Sequence, residues 1–158
     1  MRRILIAIFL VAAVAGGWWW WRPPRHPVVD ASLYETDMTE NLVRIILTQM
    51  KPPVPAVCFL AFGDGGTPPS HEFIARFAGS QPAVRSCGSA ASPATGQFFE
   101  TSTGRPGLVV HIIQFKESEP GTFEVLVSFS NLPPGHDRFT YRLYNAAGDW
   151  ILRSRKPA

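Results

Sequence analysis

The segment LVVHIIQFKESEPGTFEVLVSFS, residues 108–130, decides the fold that the sequence predicts. Residues 108–116 form a nearly continuous apolar run, which is typical of a central strand covered on both faces. Residues 122–130 alternate apolar and polar side chains, the pattern of a strand with one buried face. The connection between them, residues 117–121, is short enough for a hairpin. The segment therefore predicts two neighbouring antiparallel strands.

Further strands are predicted on both sides of this hairpin. Residues 138–145 alternate again, and the turn NAAGD at 145–149 leads into a strand at 150–153. These four strands are expected to form an antiparallel meander. Upstream, the apolar run AVCFLAF at 56–62 indicates a buried strand, and residues 97–101 indicate a short one.

Two helices are predicted before the meander. Apolar residues recur at three- and four-residue steps from Tyr34 to Met50, which indicates one amphipathic helix of about 18–20 residues. The prolines of 51–55 would end this helix. A second, shorter helix is expected over 70–78, and residues 79–96, rich in Ser, Ala, Gly and Pro, indicate a loop.

The chain resembles two groups of proteins. The closing stretch YRLYNAAGDWILRS (141–154) is similar to the last hairpin of many cystatin-like and NTF2-like domains. The stretch CFLAFGDGGTPPSHEFIARF (58–77) resembles segments of exported bacterial proteins in which a Cys-bearing strand precedes a short helix and a second Cys. The resemblance implies an α+β fold: one long helix packed on a curved antiparallel sheet of four to six strands, with a short second helix. It implies no particular activity, since one fold carries many functions.

The N-terminus has the pattern of a membrane-targeting segment. Two arginines precede an apolar run that continues without charge over residues 4–21. As a helix this run would span roughly 27 Å, enough to cross a bilayer core. Trp18, Trp19, Trp20 and Trp21 would then lie at the far membrane interface, which indole rings prefer. A retained anchor is favoured, and cleavage of a signal peptide near Ala15 is the alternative.

The sequence thus divides into a signal anchor or signal peptide at 1–21, a Pro-rich spacer at 22–29 and an extracytoplasmic α+β domain at 30–158. A retained anchor implies a bacterial inner-membrane protein with a cytoplasmic N-terminus and a domain in the periplasm or outside. Cleavage would instead release a secreted domain. The four adjacent indoles would point all round a helix, so they cannot form one binding face.

The distribution of charge argues against nucleic acid as a partner. The net charge is +3, but residues 1–25 hold four arginines and no acid. The rest of the chain carries 11 basic and 12 acidic residues, which leaves it near neutral. Binding to a phosphate backbone needs a concentrated basic surface, so nucleic-acid binding is not expected.

The two cysteines, Cys58 and Cys87, are predicted to form a disulfide. An even number of cysteines in an exported protein favours such a bridge. Neither belongs to a Cys-x-x-Cys motif, and no cluster of histidines accompanies them. Metal and redox chemistry are therefore the weaker interpretations of this pair.

The sequence holds no convincing catalytic or cofactor motif. The loop 63–72, GDGGTPPSHE, lacks the Gly-Lys-Ser/Thr ending of a phosphate-binding loop. His71 and Glu72 begin like a zinc protease motif, but the residue four after His71 is Ala75, so no metal site or cofactor is expected. His111, in the middle of a predicted strand, is a candidate for lining a cavity between helix and sheet.

Three functional hypotheses follow. The favoured one is a membrane-tethered envelope domain that binds or scaffolds another envelope protein without catalysis. The second is a ligand-binding or enzymatic NTF2-like domain that uses His111 in a helix–sheet cavity. The third is an immunity-type protein that neutralises a toxic effector. An interior filled by Phe123, Phe129, Tyr141 and Trp150 would argue against the second.

Overall fold

The computed structural model describes residues 30–50, 55–92, 97–130 and 136–158. Within them lie two short 3-10 turns, at Ala31–Leu33 and Cys87–Ser89, and two α-helices. The helices are α1 (Asp37–Gln49) and α2 (His71–Ala75). The strands are β1 (Val57–Phe62), β2 (Ala83–Ser86), β3 (Ala90–Ala91), β4 (Phe98–Glu100), β5 (Pro106–Glu119), β6 (Thr122–Ser130), β7 (His136–Ala146) and β8 (Asp149–Pro157).

All eight strands belong to one mixed sheet. Its main order is β2-β1-β5-β6-β7-β8, and the short β3–β4 pair joins at the start of β5 through β4. Strand β1 runs parallel to both β2 and β5. The meander from β5 to β8 is antiparallel, as the alternating pattern of the C-terminal half predicts.

The predicted fold class is wrong in its sheet and in its long helix. The sheet is mixed and eight-stranded, whereas an antiparallel sheet of four to six strands was expected. The two additional strands, β2 and β3, come from residues 79–96, where a loop is predicted. The mixed character comes from β1, which runs parallel to both of its neighbours. Strand β2 is only four residues long and includes a charged Arg85, so it gives almost no hydrophobic period to detect.

The predicted long helix is divided near its start. Thr36 has extended backbone angles and its hydroxyl accepts a hydrogen bond from the Thr39 amide, so it caps a new helix there. Tyr34, just before this cap, donates from its hydroxyl to the carbonyl of Ile113 on β5. Its ring also stacks on Phe62, with centroids 5.3 Å apart. These contacts bind residue 34 to the sheet and leave 13 residues for α1.

The main core lies between the two helices and one face of the sheet, here called the inner face. Helix α1 contributes Met38, Leu42, Val43 and Ile46, and the α2 region contributes Phe73 and Phe77. The inner face of the central strands contributes Leu60, Phe62, Val110, Ile112, Val125, Val127, Tyr141 and Leu143. Alternate residues of β1 and β5 point to the outer face and form a small second cluster with Phe98: Val57, Phe59, Ala61 and Val109.

The predictions for residues 1–21 and 22–29, including the tryptophans at the membrane interface, lie outside the described residues. Among the residues that are described, neither helix is long and apolar enough to cross a membrane.

Candidate functional site

An open groove lies beside the first turn of α1, at the end of the sheet where β7 turns into β8. Its volume is about 530 Å³. Nine residues line it, and this set is called the aromatic groove: Leu33, Thr36, Asp37, Met38, Phe115, Phe123, Asn145, Gly148 and Trp150. The apolar side chains come from five separate elements, so the folded domain is needed to form this surface.

Aromatic contacts fix the floor of the aromatic groove. The rings of Phe123 and Trp150 meet edge to face, with centroids 5.7 Å apart. Phe115 packs against Tyr34, with centroids 4.8 Å apart. Both pairs rest on the main core. Leu33 stands at the rim, and 66% of its surface is exposed.

The wall formed by the β7–β8 hairpin depends on a tight turn. Ala147 and Gly148 have positive φ angles of 55° and 102°, which a two-residue hairpin turn of the primed type requires. The Asn145 carboxamide oxygen accepts a hydrogen bond from the Gly148 amide at 2.9 Å and holds this conformation. The turn places Trp150 directly across the strand pair from Asn145.

The charged groups around the aromatic groove are of both signs. Asp37 lies in its wall, where its carboxylate forms an ion pair with Arg76 at 3.2 Å, whereas Asp149 alternates with Trp150 in β8 and is on the outer face. Glu117 lies opposite Phe123 in the β5–β6 register, so its side chain is on the same face. Among the nine lining residues there is no Lys or Arg. The groove therefore combines an apolar floor with one ion-paired carboxylate, Asp37, and with Glu117 nearby.

His111 lies on the outer face of the sheet, away from both helices. Its neighbours in the strand, Val110 and Ile112, belong to the main core, so the alternation of β5 turns the imidazole to the other side. The Nε2 atom bonds to the carbonyl oxygen of Gly63, at the end of β1. The imidazole of His111 therefore does not face the space between helix and sheet, where a cavity was predicted. Its hydrogen bond to Gly63 instead stabilises the turn after β1.

Aromatic side chains occupy the space between helix and sheet. Tyr141 is 1% exposed, and burial raises its pKa although the nearby Arg155 guanidinium acts in the opposite direction. Phe123, Phe129 and Trp150 pack partly buried against the same core. This is the arrangement that argues against a ligand cavity between helix and sheet.

The structure places the two cysteines on opposite faces of the sheet, both as free thiols. Cys58 is fully buried in the main core, and Cys87 packs against the outer cluster. The Cys87 thiol donates a hydrogen bond to the Gly66 carbonyl at 3.3 Å. The predicted bridge is therefore not formed in this structure, because β1 separates the two sulfur atoms. Burial raises the pKa of Cys58 to about 12 and also raises that of Cys87, so neither thiol is activated.

Glu100 forms a charged cluster that the sequence does not reveal. Its carboxylate, almost fully buried, accepts from Arg85 at 3.1 Å, from Arg105 at 3.0 Å and from the Thr103 hydroxyl. The hydrogen bond from Thr103, followed by that from Arg105, lowers the pKa of Glu100. The cluster ties β2 to the β4–β5 turn. Arg105 also lines a second groove of about 590 Å³ near Gln81, but its charge is already paired.

The outer face of the C-terminal strands is polar, as the alternation of 138–145 predicts. Arg142 forms an ion pair with Glu119 at 2.6 Å, although Glu124 is its register partner. The guanidinium of Arg153 lies over the ring of Tyr144 at 4.4 Å. Within the described ranges there is no group of His, Cys, Asp and Glu that could hold a metal ion.

The chain matches no protein-family model, no curated protein and no solved structure. The candidate site is therefore inferred from the geometry of this structure alone. Sequence reasoning missed the aromatic groove because Leu33, Phe115 and Trp150 are far apart in the chain. The one local indication was the turn that precedes Trp150.

Proposed function

We propose that this chain is a membrane-tethered domain of the cell envelope that binds another protein and has no catalytic activity of its own. One observation supports the proposal most strongly. Side chains fill the space between helix and sheet, while the aromatic groove beside it is open. Small molecules usually bind in concave pockets that enclose most of their surface. The space between helix and sheet is instead occupied by Tyr141 and its neighbours.

The surface of the domain supports protein binding. Leu33 is exposed next to partly buried Phe115, Phe123 and Trp150, and such grouped apolar side chains are typical of docking surfaces. Aromatic and Met side chains are enriched in protein interfaces.

The N-terminal sequence supplies the location in this proposal. A retained anchor at 4–21 and a Pro-rich spacer at 22–29 would hold the domain close to the membrane. An eight-residue polyproline-type spacer reaches roughly 25 Å. The partner is therefore expected in the envelope, within reach of the membrane surface.

Crosslinking in intact envelopes tests this function. The full-length chain is crosslinked in place, purified under denaturing conditions and analysed by mass spectrometry, with quenched crosslinker as the control. We expect one partner protein in about equimolar amount. Recovery of none with crosslinkers of several lengths would contradict the proposal.

A further inference from the structure

We infer that the outer face of β7 and β8 lies on the membrane and binds the headgroups of anionic phospholipids. This inference rests on the proposed function, since it uses the membrane anchor at 4–21, and it adds the orientation of the domain. The residues that carry it are called the basic face: Arg138, Tyr144, Ile151, Arg153 and Lys156.

Strand alternation turns the three basic side chains of this face away from the main core. Arg138 and Thr140 alternate with core residues of β7, and Lys156 of β8 pairs with Thr140. Arg153 stands at the register shift of β8, and its guanidinium lies over the ring of Tyr144 at 4.4 Å. All three basic residues are exposed, so their charges are open to a ligand.

Carboxylates on the same face of β5 to β8 do not balance these charges. Glu119 forms its ion pair with Arg142, and Glu124 lies between Arg142 and Lys116 in the register. Asp149 is at the other end of β8, beside the turn. Among the described residues, the three basic residues of the face form no ion pair. The face is therefore positive, although the chain from residue 26 onward carries 11 basic and 12 acidic residues.

An apolar and an aromatic side chain accompany the charges. Ile151 has half of its surface exposed and pairs with Tyr144. Tyr side chains prefer the membrane interface, where the ring meets lipid and the hydroxyl meets water. Lys and Arg side chains can lay their aliphatic stems along apolar surface and extend their charged ends to the headgroups. Basic residues beside exposed apolar ones are typical of surfaces that bind anionic membranes.

The layout of the basic face favours a membrane over a single bound anion. Neither the aromatic groove nor the second groove near Gln81 contains a residue of this face. A small ligand is usually enclosed by a pocket, whereas a membrane offers many headgroups in one layer. An acidic segment of a protein is the less suitable occupant, because Lys is depleted in protein interfaces.

This orientation agrees with the position of the aromatic groove. The groove is lined by α1 and by the inner face of the sheet, opposite the basic face. The spacer at 22–29 reaches roughly 25 Å, enough to lead from the membrane surface past the sheet to Asp30. The lipid and the partner protein would therefore bind on opposite faces, and both contacts can exist at once.

Fluorescence quenching in vesicles tests the inference. The full-length protein, with an environment-sensitive fluorescent amino acid at position 151 or at position 33, is reconstituted into phosphatidylcholine vesicles with or without phosphatidylglycerol. A phospholipid with a spin-labelled headgroup is the quencher. We expect phosphatidylglycerol to raise quenching at position 151 at least about threefold, and high salt to reverse this rise. Position 33, on the side of the groove, should show little quenching in either vesicle.

A charge variant adds a second readout. Arg153→Gln combined with Lys156→Gln should lower quenching at position 151 at least about threefold in vesicles with phosphatidylglycerol. The matched control, Arg153→Lys combined with Lys156→Arg, keeps both charges and should retain the quenching. The unfolding midpoint of each variant shows whether the domain is still folded.

The remaining outcomes separate the two proposals. Quenching at position 151 that does not respond to phosphatidylglycerol, or that is stronger at position 33, would overturn the inference. Recovery of one partner in the envelope experiment would then leave the proposed function standing. A photoreactive residue at position 151 that captures an acidic protein segment in envelopes would also overturn the inference. Release of the full-length protein from vesicles by an alkaline wash would contradict both proposals, since both need the anchor.

Discussion

Phe123 and Trp150 meet edge to face with their ring centroids 5.7 Å apart, and this contact joins the β7–β8 hairpin to β6 at the floor of the aromatic groove. In the sequence, strand β7 lies between the two residues. The contact therefore couples the stability of the hairpin to the shape of the groove.

Replacing Trp150→Ala should lower the free energy of unfolding by about 1–3 kcal/mol, because it removes a partly buried aromatic ring and leaves space beside Phe123. Chemical denaturation of the full-length protein in detergent micelles, followed by circular dichroism, measures the change. The matched control is Ile151→Ala, half of whose surface is exposed, with an expected change below about 0.5 kcal/mol. Equal effects of the two substitutions would contradict the packing described for Trp150.

Gly107→Ala should also destabilise the domain, by about 1–3 kcal/mol. A Cβ atom at residue 107 would stand 2.8 Å from the Val57 carbonyl oxygen and 2.4 Å from a ring carbon of Phe59. The backbone of β1 cannot move away without disturbing its pairing with β5. At Gly88 the nearest atoms are 3.8 Å away, so Gly88→Ala is the control. Unfolding midpoints that fall equally in both variants would refute the close β1–β5 contact.

The meander from β5 to β8 could be predicted from the sequence because its period-two pattern is local. Residues 122–130 are predicted and observed as one strand with the same bounds. The position of α2 could also be predicted, since Ser70 is a strong N-cap and its hydroxyl accepts from the Phe73 amide.

The parallel part of the sheet could not be predicted in the same way. Strand β2 pairs with β1 over four residues, and its residues gain strand character only from that partner. Likewise, the break before α1 depends on Tyr34 reaching Ile113, 79 positions away. The candidate site could not be predicted for the same reason. The 3-10 turn at Leu33 and the β7–β8 hairpin line one groove only because the tertiary fold brings them together.

The thiols provide a test of the sheet topology. In the folded protein without reductant, Cys58 should resist alkylation, because it is fully buried and its pKa is raised to about 12. Cys87, half-buried with a raised pKa, should react slowly at neutral pH and faster as the pH rises. Intact mass after alkylation in denaturant should show two modified thiols. A protein that takes up no label in denaturant would contain the disulfide and contradict the placement of the cysteines.

Glu100 should make stability depend on pH in the acid range. Its pKa in the folded protein lies below the ordinary value of 4.5, because Thr103 and Arg105 hydrogen-bond the carboxylate. The unfolded chain therefore takes up the proton first as the pH falls, and stability present above about pH 4.5 is lost as the pH drops through the lowered value.

Glu100→Gln should cost about 1–3 kcal/mol near neutral pH, with a difference from the wild type that shrinks in acid. Denaturation curves between pH 3 and pH 7, on the order of one pH unit apart, measure this dependence. The exposed Glu72 supplies the control Glu72→Gln, with a change below about 0.5 kcal/mol. A difference that stays constant across the range would show that the carboxylate charge plays no part.

Binding of a partner protein at the aromatic groove is tested by comparing how much partner two charge-introducing variants recover. Leu33→Asp places a carboxylate at the rim of the groove, and Ile151→Asp places one on the outer face, both at exposed positions where folding should be unaffected. In crosslinked envelopes we expect Leu33→Asp to recover at least about tenfold less partner than the wild type, since an anchor contact of about 1.4 kcal/mol or more is lost. Ile151→Asp should recover as much as the wild type. Undiminished recovery by Leu33→Asp, or loss confined to Ile151→Asp, would contradict it.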